Sequence, residues 1–102
     1  MPLTPTTHLA MTDIAGVSFL MADRERDCLV RVDVPREQLI ALGTSAAYSP
    51  DRDLSAFEDY RDAAERIAQQ KYARQGYHDY ANGRVIVLSA DDWARHRAIG
   101  RS

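Results

Sequence analysis

Tyr72, Arg74, Tyr77, Tyr80 and Arg84 stand close together in the chain. Rings beside guanidinium groups form the combination that stacks on bases and neutralises phosphates. The same tyrosines serve equally to close the open end of a core with their hydroxyls in water. No nucleic-acid recognition motif accompanies them. RNA or DNA binding through Arg74, Tyr77, Tyr80 and Arg84 is therefore the first alternative and not the leading reading.

A second chemistry needs Cys28 as nucleophile with His78 as its base, which requires a partly exposed thiol and an imidazole within hydrogen-bond reach. Cys28 alternates in phase with Val30, Val32 and Val34, the position of a buried thiol packed as a small hydrophobe. Asp51-Arg52-Asp53-Leu54-Ser55, with Asp62 at the twelfth position, imitates a calcium loop, but Ala56 stands where that loop needs glycine. His8, His78 and His96 are scattered and, even with Asp92 four residues before His96, lack a zinc-ligand spacing. No catalytic set converges, so the chain is expected to be no enzyme, with no metal and no cofactor.

The elements that must position these residues follow from periodicity. Residues 1–12 hold two Pro, four Thr and His8 without an apolar period and read as a flexible tail outside the core, with one domain over 13–99. From Gly16, alternation of Val17, Phe19 and Met21 with Ser18 and Leu20 predicts a strand. Cys28 to Val34 predicts a second, joined through charged Asp23–Asp27 as a hairpin. Pro35 to Leu42 reads as a two-turn helix ended by Gly43, and Thr44 to Asp53 as a surface loop. Ser55-Ala56-Phe57-Glu58 has the form of a capping box. It starts a long helix, Ala56 to Gln75, with Phe57, Tyr60, Ala64, Ile67, Ala68 and Tyr72 on its apolar stripe and Gly76 closing it. Asn82-Gly83 is a turn into a third strand, Arg84 to Ser89, whose consecutive Val85 to Leu88 imply a central position or burial on both faces. Ser89-Ala90-Asp91-Asp92 then caps a short helix carrying Trp93 and Ile99.

Composition bounds these expectations. The chain has 102 residues, 45% hydrophobic and 27% charged, which suits one soluble globular domain. No apolar run approaches the roughly 18 residues of a membrane span. The start lacks a basic region and a long apolar core, against a secretory signal, and the single cysteine suits a reducing cytoplasm. Residues 1–65 carry six Arg against twelve Asp or Glu, a net of −6, while residues 66–102 carry seven basic against three acidic groups, a net of +4.

Several marks together resemble a known family. They are Val17-Ser18-Phe19, then Cys28-Leu29-Val30-Arg31-Val32, the helix ending Leu39-Ile40-Ala41-Leu42-Gly43, Phe57-Glu58-Asp59-Tyr60-Arg61 with Ile67-Ala68, and Asn82-Gly83-Arg84-Val85. In this order they look like the bacterial domain-of-unknown-function family 1488, over about Gly16 to Asp92. The resemblance implies a compact cytoplasmic α+β domain and carries over no catalytic residue.

The expected fold is α+β and two-layered, a three-stranded, mainly antiparallel sheet packed on one face by the long and the short helix. Leu20, Leu29 and one side of Val85 to Leu88 then fall on the opposite face. The tail, the Trp93 helix or a second subunit packed sheet to sheet could cover them, and an apolar patch left open signals a partner. The leading expectation is a non-enzymatic cytoplasmic interaction module, binding a protein or itself, with Leu20 and Leu29 in the contact.

Overall fold

A computed structural model describes residues 3–6, 9–41, 49–80 and 83–100, the last five by backbone alone. In chain order the elements are strands β1 (Leu3–Pro5), β2 (Met11–Asp13), β3 (Gly16–Asp23) and β4 (Cys28–Pro35), helices α1 (Arg36–Ala41) and α2 (Pro50–Ala73), strands β5 (His78–Tyr80) and β6 (Gly83–Val87), and helix α3 (Ala90–Gly100). The strands form a six-stranded mixed sheet in the order β1-β3-β4-β6-β5, with β2 also paired to β3. β3 and β4 are the hairpin read from the sequence, with Phe19 opposite Val32 and Leu20 opposite Arg31. β6 lies on the other side of β4 and runs parallel to it, Val32 beside Ile86, while β5 adds antiparallel at the edge.

The α+β class holds and the sheet is mainly antiparallel, but the three expected strands are corrected to six, with one parallel pairing among them. Strands of three residues are too short to establish a period of two, which is why β1, β2 and β5 escape a reading by alternation. Parallel neighbours need a long crossover, and α1 and α2 lie within the segment between β4 and β6.

Within the expected tail, the described residues 3–6 and 9–12 differ from expectation. β1 pairs with β3, Leu3 is buried in the core, and the Gln69 side chain donates to the Leu3 carbonyl at 3.1 Å. Pro5, without an N–H, is tolerated because β1 is an edge strand. His8, Leu42, Gly43, residues 44–48, Asn82 and the side chains of His96 and Ile99 lie outside what is described.

One face of the sheet carries the core. Val17, Phe19, Met21, Val30, Val32, Val34 and Ile86 are buried together with Leu88, Leu39 of α1, Phe57, Ala64, Ile67, Ala68 and Tyr72 of α2, and Trp93 of α3. Tyr60, expected on that stripe, is 39% exposed. The run Val85 to Leu88 is central but buried on one side, since Val87 is 38% exposed between buried Ile86 and Leu88.

α2 begins at Pro50, six residues before the expected start, and Ser55 sits inside it. Proline is pre-set for the first helical turn, and Asp51 and Asp53 there suit the helix dipole. The tertiary reason is Arg36, whose guanidinium reaches the buried Asp53 at 2.5 Å while donating to the Ile14 and Asp13 carbonyls at 2.8 and 3.0 Å. Glu58, released from capping, pairs with Arg61 at 3.2 Å. At the other end Gln75, and not Gly76, takes the left-handed conformation with φ 62°. Glycine at 76 is required by proximity, because a Cβ there would stand 2.6 Å from the Lys71 side chain. Pro35 ends β4 instead of opening α1. No helix among the described residues is long and apolar enough to cross a membrane.

Candidate binding face

Alternation along β3, β4 and β6 sends Ser18, Leu20, Ala22, Leu29, Arg31, Asp33, Val85 and Val87 to the face away from the helices. Register brings them together: Leu20 lies opposite Arg31, Ala22 opposite Leu29, Arg31 beside Val85 and Asp33 beside Val87. Trp93, which could have covered this face, is instead buried on the helix side with α2. Leu29, Arg31 and Val87 are exposed on this face, while Ser18, Leu20, Ala22, Asp33 and Val85 are half-buried. Leu29 is 44% exposed, Met11 63% and Tyr80 62%.

The surface is hollowed. A depression of about 520 Å³ is lined by Leu20, Leu29, Tyr80, Val85, Val87 and the Arg31–Asp33 pair, among others. A second, about 460 Å³, lies toward Met11, Asp13, Gly16 and Ser18 and shares Arg31, Asp33 and Val87 with the first. Arg31 grips Asp33 with two hydrogen bonds, Nε to Oδ1 at 2.8 Å and Nη2 to Oδ2 at 2.9 Å. The Asp33 hydrogen bond, with its charge, raises the Arg31 pKa, so the guanidinium keeps its proton throughout.

The structure divides the tyrosine and arginine cluster between the two faces. Tyr80 joins Leu20 and Leu29 on the open side. Arg84 and Tyr77 belong to a network at the end of the core. The Arg84 guanidinium lies 4.1 Å from the Tyr77 ring centroid, donates to the Tyr72 hydroxyl at 2.7 Å and to Asp79 at 2.8 Å. Tyr72 in turn donates to the buried Asp23 carboxylate, whose other oxygen accepts the Glu25 and Arg26 N–H groups at 3.0 and 3.2 Å. The Tyr72 hydrogen bond holds the Asp23 pKa below the ordinary value against the opposing effect of burial. Burial, reinforced by Asp23, pushes the Tyr72 phenol up to about 12. Arg84 is raised, first by its bond to Tyr72. Arg74 lies at the end of α2 and reaches Asp92 at 3.8 Å. Of the four residues expected to meet a nucleic acid, Tyr80 and Arg84 both border the open hollow and Arg84 lies over Tyr77, while Arg74 stands apart at the end of α2, and the Arg84 guanidinium is engaged by Tyr72 and Asp79.

Cys28 is half-buried, not buried as its phase with Val30 suggested. His78 pairs with Val85, level with Arg31. It is thus two strands across, at about 4.8 Å each, and three residues along, at about 3.3 Å each, from Cys28. Asp53 of the calcium-like run is held by Arg36, and among the described residues no three His, Cys, Asp or Glu side chains gather as metal ligands. The cap at Ser89 is formed: Asp92 Oδ2 accepts the Ser89 N–H at 2.8 Å and the Lys71 ammonium at 2.7 Å. Burial alone would raise the Asp92 pKa, but Lys71 and Ser89 together outweigh it and lower it.

Sequence reasoning located Leu20 and Leu29 and overlooked Arg31, Asp33 and Met11. The signal for Arg31 and Asp33 was present, because both are in phase with Leu29 on one strand. Met11 was hidden by a strand too short to show a period. No protein-family model matches the chain, and neither does a curated protein or a solved structure.

Proposed function

We propose that this chain is a non-catalytic interaction module of the bacterial cytoplasm that binds protein through the open face of its sheet. The observation that carries the reading is the one-sided packing: helix-borne side chains from α1, α2 and α3 join one core, while Leu20, Leu29, Tyr80, Val85 and Val87 on the other side line an uncovered hollow. Contiguous apolar surface of this kind marks an interaction site. Among the groups with displaced ionisation, Asp23, Tyr72 and Asp92 each face partners within the fold, and Arg31 and Arg84, which border the hollow, are held by Asp33 and by Tyr72 and Asp79. The resemblance to the domain-of-unknown-function family 1488 belongs to the same reading, since the marks that carry it follow one another through β3, β4, α1, α2 and β6.

The test compares the protein with its Leu29→Glu variant as baits in a nuclease-treated bacterial lysate. A stoichiometric protein held by the first and lost by the folded variant is the expected result. Equal capture by both would remove the open face from the function, and nucleic acid recovered without nuclease and released by salt would favour the alternative that uses Arg74, Tyr77, Tyr80 and Arg84.

A further inference from the structure

We draw no further inference here: the strongest candidate, the hollow on the open sheet face between β3, β4, β6 and Tyr80, belongs to the site already described, and nothing in the structure shows what covers it.

Discussion

The two faces of the sheet are made by alternate residues of the same strands, so they share backbone, twist and much of their residue chemistry. Ile86 is buried while its neighbour Val87 is 38% exposed, and Val30 is buried while Leu29 is 44% exposed. The difference lies in what each face meets. On the helix side the strand residues oppose side chains from other elements, and the polar groups present there are engaged: Asp23 with Tyr72, Tyr72 with Arg84, Arg36 with Asp53. On the open side the Arg31–Asp33 pair is satisfied locally and the apolar residues lie over depressions. The contrast teaches that burial in this chain is decided by the helices and not by hydrophobicity, and it sorts mutations by face.

The largest expected effect is on the covered side. Phe57 packs against Phe19 with ring centroids 5.2 Å apart, and Phe57→Ala should cost about 3–5 kcal/mol of unfolding free energy in a denaturant titration. A loss near zero would mean that α2 does not complete the core. Next is Tyr72→Phe, which leaves the buried Asp23 carboxylate without its side-chain donor and should cost about 1–3 kcal/mol. Arg84→Met should lower the melting temperature too, although the sequence places Arg84 in an exposed cluster.

The same network gives a smaller, pH-dependent signature. Asp23 and Asp92 have lowered native pKa values, so their contribution is fully present above the unfolded value of about 3.9 and is lost as pH falls through the native values. Tyr72 is raised to about 12. Its contribution is present below the unfolded value of about 10 and disappears as pH rises from there through the native value. Ultraviolet titration of phenolate should show a late-titrating tyrosine that is absent in Tyr72→Phe; an unchanged late phase in that variant would contradict the network. The smallest effect belongs to the open side. Leu29→Ser should change stability by less than about 0.5 kcal/mol, and a larger loss would show that this face is covered after all.

Much of this division is legible in the amino-acid order itself. The alternation along β3 and β4, the stripe on α2 and the placement of Leu20 and Leu29 opposite the core all follow from period alone. Three features do not. The start of α2 is masked because Ser55 and Glu58 satisfy a local capping pattern, whereas the deciding partner of Asp53, Arg36, is distant in sequence. β1 is masked because three residues cannot display a period. The grouping of Arg84 with Arg74 fails because nearness along the chain ignores that Arg74 ends α2 beside Asp92, whereas Arg84 is drawn by Tyr72, Tyr77 and Asp79.

The parallel pairing of β4 with β6 orders the molecule in time as well as in space. The β3 and β4 hairpin closes across a short turn, but β6 can reach β4 only after residues 36–82 have been laid down, a loop whose closure entropy rises with the logarithm of its length. A chain emerging from its N-terminus therefore carries a hairpin with both faces bare until α2 arrives to claim one of them. The last strand to form is also the one that brings Arg84 onto Tyr77 and offers the Val87 carbonyl to Lys71 at 2.7 Å. Docking of β6, a non-local step, is then expected to set the refolding rate, and Ile86→Ala should slow refolding where a change confined to α3 does not.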